Sequence, residues 1–496
     1  MSRPPETYAA ISIAGWRVGR EPTLCEHLAG GFASSSSEAM RGIPVAALPA
    51  VVRVVYSMRK RAGTRLLRAA AAALCLLVAA RTSAFHSGGV GECDGCHIMH
   101  GPPASAVQPG GYLLRAGDAS SVCLNCHQNT GDVGPTTSHV STADANMPPG
   151  VPPKQLPPGG DFGWLKKTWT WRTPTGTAMS RGEQHGHNIV AADYGYVSDM
   201  RNATAPGGTY PSSNLSCVSC HDPHGRYRRL ADGTIATSGL PIFGSGSQAD
   251  GVDPISGVSA VGVYRMLGGA SYKPKSLSGA FGFANQAPTA VAPADYNRSE
   301  AVTQTRVSYG QGMSDWCLNC HPRMVSSGAT AGMGKMGGTF TAPGHPVGNG
   351  AAITGAMLLN YGAYVRTGKL TGIASRAYLS LVPFEEGRYD YPTLKSHARS
   401  DDSYLQGPDS VSTVSCITCH RAHASGFDSI LRYRAKGDFI TVGSSASGAR
   451  WPDPNTEPAV TEGRTPAETQ ASYYGRPAST FTPFQRLLCN KCHAKD

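Results

Sequence analysis

Cys93-Asp94-Gly95-Cys96-His97-Ile98-Met99-His100 is the stretch that decides how this chain is read. Two thiols three positions apart, followed at once by an imidazole, form a five-residue unit. The unit recurs at Cys123-Cys126-His127, Cys217-Cys220-His221, Cys317-Cys320-His321, Cys416-Cys419-His420 and Cys489-Cys492-His493. The chain has 14 cysteines in 496 residues, and only Cys25 and Cys75 fall outside these six motifs. CxxCH is the attachment signature of a c-type haem. The thiols add to the haem vinyl groups as thioethers, and the adjacent histidine reaches the iron of the same ring. Structural zinc uses paired cysteines but does not require a histidine immediately after each second one. A disulfide framework suits an exported protein, yet it explains neither the tight spacing nor the histidines. The sequence therefore predicts six covalently bound haem c groups.

Six irons need up to six further axial ligands. Beyond the six proximal histidines, the chain after residue 85 offers His86, His100, His139, His185, His187, His224, His345, His397 and His423. Nine candidates for six places favour two imidazoles on every iron, which leaves no open coordination position and suits electron transfer rather than catalysis. His100, His224 and His423 each follow a proximal histidine by three residues. That leash is too short to reach round a porphyrin to its opposite face, so each is expected to serve a neighbouring haem. His187, in Gly186-His187-Asn188, and His345, before Pro346, are further distal candidates, as are His139, His86 and His397. His185 stands two residues from His187 and is discounted. Met324 occupies the place three past His321 where other motifs carry histidine, and with histidines in surplus it is discounted too.

Glycine (60) and proline (36) are abundant, and few windows keep a helical or strand period. The fold expected is mostly coil with a few short helices and minimal strand, one elongated multihaem cytochrome c unit organised around its haems. Porphyrin faces would supply much of the apolar burial, and the thioethers would restrain the unfolded chain much as disulfides do. Helices are expected over residues 351–364, 374–381 and 466–474, with a helical turn over 486–492. Trp169 and Trp171 alternate with threonines and suggest a short strand. Residues 147–160 and 245–253 read as loop.

The N-terminal part reads differently. Met58-Arg59-Lys60-Arg61 opens a basic stretch, Leu66 to Ala80 is apolar apart from Arg68, and Thr82-Ser83-Ala84 closes it with small residues. This is the pattern of a secretory signal, too short to span a bilayer comfortably. The expected organisation is an upstream segment 1–57 that lies outside the working protein, a signal peptide 58–84 and a single hexahaem unit 85–496. Cys25 and His27 then play no part. The whole chain carries 44 Lys+Arg against 33 Asp+Glu, and residues 1–84 hold 11 and 4 of these, leaving +4 for the rest. Two propionates on each of six haems reverse that sign, so the basicity is no argument for nucleic acid binding.

Several strings go beyond what haem attachment requires. Phe85-His86-Ser87-Gly88-Gly89-Val90 running into the first motif, Gly186-His187-Asn188-Ile189-Val190, Cys220-His221-Asp222-Pro223-His224-Gly225, Cys419-His420-Arg421-Ala422-His423-Ala424-Ser425-Gly426-Phe427-Asp428 and the terminus Cys489-Asn490-Lys491-Cys492-His493-Ala494-Lys495-Asp496 together resemble the OmcS-type outer-surface hexahaem cytochromes of metal-reducing bacteria. The likeness runs over essentially all of residues 85–496. It implies a homopolymer forming extracellular filaments, with bis-histidine haems stacked in a continuous chain of alternating parallel and T-shaped pairs. It also implies that His100 ligates a haem of the adjacent protomer. Electrons would pass to other cytochromes and to extracellular acceptors such as iron(III) oxides or electrodes, after export through the periplasm to the outer cell surface, with no membrane span in the mature protein. The segment Pro322 to Pro343 looks longer and richer in glycine and methionine than its counterpart, and His185 is an extra histidine. These leave the ligand of one haem open.

Three functions compete. The first is a filamentous electron conductor, the second a monomeric shuttle with the same haems, and the third a multihaem reductase of a small molecule. The reductase needs an open iron. The oxidised, fully loaded protein is expected to be low-spin throughout by electronic and paramagnetic resonance spectra. A high-spin fraction near one haem in six would favour the reductase.

Overall fold

The computed structural model describes residues 93–98, 113–129, 134–247, 251–277, 279, 281–324 and 346–493. The expected signal and upstream segments, the cleavage site, His86, His100, His345 and most of the stretch from Pro322 to Pro343 lie outside these residues.

Coil dominates, as the glycine and proline content leads one to expect. Among the described residues the helices are short: α1 (Cys93–Cys96), α2 (Ala119–His127), α3 (Cys217–Cys220), α4 (Met313–Cys317), α5 (Gly355–Ala363), α6 (Tyr391–His397), α7 (Cys416–Cys419), α8 (Pro458–Thr461) and α9 (Pro466–Ser472). Five of them carry cysteines of the haem motifs. None is long and apolar enough to cross a membrane. Strands never exceed five residues and pair mostly as isolated ribbons. The longest ribbon joins Trp169–Thr173 antiparallel to Gly176–Ser180.

The expected strand at Trp169 is therefore present. Its ring is buried, its Nε1 donates to Glu468 at 3.0 Å, and the Arg464 guanidinium lies 4.3 Å over it. The first expected helix shortens to α5, because Thr354 begins it and the chain leaves it as extended backbone at Tyr364. The second shrinks to a single tight turn, Ala374–Arg376, and a further turn follows, Val382 N–H donating to Leu379 O at 2.8 Å, from which Tyr378 and Leu381 go into the core. Helix α9 starts as the sequence suggests. Pro466 takes the first turn, and the Thr465 side chain accepts from the Glu468 N–H while Glu468 reaches back to the Thr465 N–H. The turn over 486–492 is present as a tight turn, Leu488–Lys491.

The apolar core is divided rather than single, and three of its parts abut motif cysteines. The largest cluster gathers Ile353, Tyr361, Leu381, Phe384, Tyr433, Trp451 and Tyr473, with Cys419 and Cys492 packed against it. Tyr227, Leu267, Tyr272 and Phe283 form a second, against Cys220 and Cys320. Leu124, Phe162, Ile189 and Tyr196 form a third, against Cys217. Protein side chains fill the space between attachment points, which is the arrangement expected of a fold whose largest apolar bodies are haems.

Leu381 is fully buried in the largest cluster. Leu381→Ala is expected to destabilise the folded protein by about 2–5 kcal/mol, read as a fall in thermal midpoint with haem content unchanged.

Candidate functional site

Each CxxCH motif positions its histidine by local means. The short helices begin at a capping residue. Asp118 accepts from the Ser121 N–H at 2.8 Å, and the Ser219 and Thr418 hydroxyls each accept at 2.9 Å from the N–H of the residue before the first cysteine, Ser216 and Ser415. The proximal histidine then leaves the helical turn, and a distant backbone carbonyl takes its Nδ1. His97 pairs with Leu113 O at 3.1 Å, His127 with Ser138 O at 2.7 Å, His221 with Arg265 O at 2.6 Å, His321 with Pro206 O at 2.8 Å and His420 with Ser429 O at 2.7 Å. A carbonyl cannot donate, so Nδ1 carries the proton and Nε2 keeps its lone pair for a metal.

Two candidate distal histidines are held the same way. His187 Nδ1 bonds Ala422 O at 2.7 Å, and His423 Nδ1 bonds Gly160 O at 3.3 Å. Phe162 stacks on the His423 ring at 4.7 Å. Both rings face a proximal ring. The centroids of His187 and His321 are 6.1 Å apart, and those of His221 and His423 are 6.4 Å apart. Two imidazoles bound to opposite sides of one metal, each through a bond of about 2.0 Å, have centroids roughly 6 Å apart. Burial lowers His187 to about 4, with His321 adding to the effect, and lowers His423 to about 3, with His221 adding. Burial also lowers His321 and His420. All four are neutral at physiological pH, the state that ligation needs.

The remaining candidates sit differently. His224 is exposed, with Nδ1 4.0 Å from Asp222. His139 follows Ser138, and its own carbonyl accepts from Asn297 Nδ2 at 3.3 Å. His397 has Nδ1 on the Glu386 carboxylate at 2.5 Å and stacks on Tyr404 at 4.1 Å. His185 uses both ring nitrogens within the protein, Nε2 with Ser180 Oγ at 2.7 Å and Nδ1 with Trp164 O at 3.1 Å. It is fully buried and braces the Trp169 hairpin.

The thiols line up in chain order. Cys126 adds to the burial that raises the Cys96 thiol. The Cys217 thiol beside Cys123 raises it and is itself lowered. Cys320 adds to the burial that raises Cys220, Cys416 raises Cys317 and is itself lowered, and Cys419 adds to the burial that raises Cys492. Neighbouring motifs thus meet alternately by second cysteines and by first cysteines, through all six. Burial pushes the thiols of Cys320 and Cys492 up to about 12. Thiols held protonated by apolar surroundings are poor zinc ligands but suit a bulky apolar group. The donor set, the ring separations at motifs 3 and 4 and the apolar walls fit covalently bound c-type haem.

Motifs 3 and 5 are built alike, a relation not drawn from the sequence above. The N–H groups of Cys217 and Cys416 donate to Ser120 and Ser314, each at 3.2 Å. His221 bridges to Leu267 and His420 to Leu431. The carbonyls on their Nδ1 atoms come from consecutive left-handed residues, Arg265–Met266 (φ 50° and 52°) and Ser429–Ile430 (φ 58° and 61°). Side chains there cost about 1–2 kcal/mol per residue, offset by the hydrogen bond each turn makes to its histidine. Part of the signal was present in the sequence: Ser216-Cys217 recurs as Ser415-Cys416, and the motifs that precede them, 2 and 4, share Cys123-Leu124-Asn125-Cys126-His127 and Cys317-Leu318-Asn319-Cys320-His321.

No family model matches the chain. It is 52% identical over 443 residues, 88% of this chain and 99% of the relative, to the C-type cytochrome OmcS of Geobacter sulfurreducens. Two solved structures are similar. One is the cryo-EM structure of OmcS nanowires from Geobacter sulfurreducens, with a TM-score of 0.75 and 52% identity over 83% of this chain and all of that one. The other is an outer membrane cytochrome S filament from the same organism, with a TM-score of 0.74 and 53% identity over the same shares. The chain belongs to the OmcS family of c-type cytochromes.

Gly160 adopts φ +94°, and a Cβ there would lie 1.7 Å from the Ala424 carbonyl oxygen. Because its own carbonyl holds His423, Gly160→Ala is expected to convert about one haem per protomer from low to high spin, counted by paramagnetic resonance, with the others unaffected.

Proposed function

We propose that this member of the OmcS family carries electrons outside the cell along a homopolymeric filament, through six covalently attached c-type haems ligated by two histidines each. The haems supply one-electron chemistry. The chain's own residues fix the imidazoles, exclude water and set the order of the attachment sites. His97, His127, His221, His321, His420 and His493 are the proximal ligands, with the twelve motif cysteines as anchors. His423 serves the iron of motif 3 and His187 that of motif 4. His86, His100, His139, His224, His345 and His397 are the candidates for the rest.

One observation carries the polymer. His423 follows the proximal histidine of motif 5 by three residues, and its ring faces His221 of motif 3. The short leash thus reaches back two motifs. Motif 3 shares the construction of motif 5, and its equivalent histidine is His224, which by the same offset serves motif 1. The equivalent in motif 1 is His100, for which no motif lies two places back in its own chain. In a head-to-tail row of six-motif protomers that place is motif 5 of the neighbour. The alternating approach of the cysteine pairs gives such a row one repeating pattern of neighbours, consistent with haems stacked without a gap. Ligation across the boundary makes assembly and electrical continuity one event, and it stabilises the bound protomer by mass action. No catalytic residue is assigned. The destination is an extracellular acceptor, mineral, electrode or another cytochrome, reached after export through the periplasm to the outer surface.

His100→Ala is expected to abolish filaments, or to leave filaments with one high-spin haem per protomer, read by electron microscopy and paramagnetic resonance. Normal filaments with every haem low-spin would remove the interfacial ligand and favour the monomeric shuttle.

A further inference from the structure

The likeness of motifs 3 and 5 makes their differences informative. The residue after the proximal histidine is Asp222 in motif 3 and Arg421 in motif 5, and both are almost fully buried. These positions are equivalent in the backbone: the Asp222 N–H donates to Met266 O at 2.8 Å and the Arg421 N–H to Ile430 O at 2.9 Å. Two residues past the carbonyls of that pairing the contrast recurs in a second form. The N–H groups of Gly268 and Arg432 donate to the carbonyls of the second motif cysteines, Cys220 at 2.9 Å and Cys419 at 2.7 Å. Motif 3 thus has glycine where motif 5 has a second buried guanidinium.

Neither arginine is neutralised. Arg432 Nε reaches Ile417 O at 2.5 Å and His420 O at 3.0 Å, two carbonyls of the haem-binding turn itself. Arg421 donates to Pro158 O at 3.1 Å, lies 3.5 Å over the Tyr474 ring, and its Nε is buried with no partner among the described residues. Among the described residues neither forms a salt bridge, whereas Arg306, Arg464 and Arg476, equally buried, are paired with Glu386, Glu462 and Glu300. Glu300, whose charge reaches Arg421, is thereby taken by Arg476 at 2.5 Å. Burial pulls Arg421 down to about 10, still charged at physiological pH. The Arg432 charge is felt at the site, where it adds to the burial that lowers His420. At motif 3 the buried side chain is instead a carboxylate: Asp222 pairs with Arg226, 3.1 Å away and half exposed to water, with His224 Nδ1 at 4.0 Å, and the cation felt at that site, Arg265, which adds to the burial that lowers His423, is only half-buried.

We infer that Arg421 and Arg432 hold the haem of motif 5 at a higher reduction potential than that of motif 3, so that an electron rests by preference at the site facing the protomer boundary. A ferric haem carries one more positive charge than a ferrous one. Two buried cations behind its proximal ligand disfavour the ferric state, because Coulomb interactions are weakly screened in the interior, and charge and burial are the protein's levers on such potentials. The inference rests on the assignment of haems to these motifs made above. It names Arg421 and Arg432 as positioning residues that act through charge, with Asp222 as their counterpart.

The test uses assembled filaments of the wild type and of Arg421→Gln, Arg432→Gln, Arg432→Lys and Asp222→Asn. Haem content is counted by mass, spin state by paramagnetic resonance and the six midpoints by redox titration. Both glutamine variants are expected to keep six low-spin haems while one midpoint moves negative, most in a single haem. Arg432→Lys should leave the midpoints close to wild type, and Asp222→Asn should move a different haem positive. If Arg432→Gln sheds the haem, Arg421→Gln, whose side chain touches no motif carbonyl, carries the test alone. Unchanged midpoints in glutamine variants that retain six low-spin haems would overturn the inference. So would a shift in Arg432→Lys equal to that in Arg432→Gln, which would make hydrogen bonding rather than charge the cause. A missing or high-spin haem in wild-type filaments would instead refute the assignment of function, a distinct failure.

Discussion

Everything in this protein depends on the hydrogen bond between a backbone carbonyl and the Nδ1 of a histidine. Each of the five proximal histidines whose Nδ1 contact is described has such a carbonyl at 2.6–3.1 Å, and so do two distal ones at 2.7 and 3.3 Å. The bond fixes the tautomer and aims the ring, and burial keeps His187, His321, His420 and His423 neutral. It also explains why coil is the right material. A carbonyl inside a helix or a sheet is already engaged, whereas an irregular backbone can turn one toward an imidazole wherever it is required. The left-handed pairs Arg265–Met266 and Ser429–Ile430 are the extreme case, an unfavourable backbone retained because it delivers a carbonyl to the ligand.

The second constraint is that one segment touches two metal sites. Ala422 O holds His187, which faces His321, while His423 next to it faces His221. A few residues after motif 5 therefore hold the rings that face the histidines of motifs 3 and 4, and Gly159 and Gly160 pass close against them. Such sharing leaves little freedom for the motifs to separate. It accounts for a core broken into clusters at the motif cysteines rather than gathered in one place.

Much of this was legible in the sequence, for a local reason. CxxCH places two thiols and an imidazole within five residues, so the covalent attachment of c-type haem follows from spacing alone. The mostly coil fold followed from glycine, proline and the lack of period. Helix lengths were overestimated after Ala351 and Ala374, because side chains such as Tyr378 and Leu381 go into the core from coil and turn, and periodicity does not register that. The pairing of His423 with His221 and of His187 with His321 was not legible, since each joins segments more than a hundred residues apart. The discount applied to His185 matches a ring with both nitrogens engaged inside the protein. His397 bonded to Glu386 has a setting that spacing did not foretell. The histidine three residues past the proximal one in motifs 1, 3 and 5 was visible and is what lets the contact made by His423 be transferred to His224 and then to His100.

The central claim is that short leashes carry each odd-numbered motif's second histidine back two motifs, within the chain and then across its end. A density map of assembled protein fine enough to separate axial ligands tests it most directly. The account predicts His423 on the iron of motif 3, His224 on that of motif 1, and His100 on that of motif 5 in the next protomer. An iron of motif 5 whose second ligand comes from its own chain, or is absent, would contradict it.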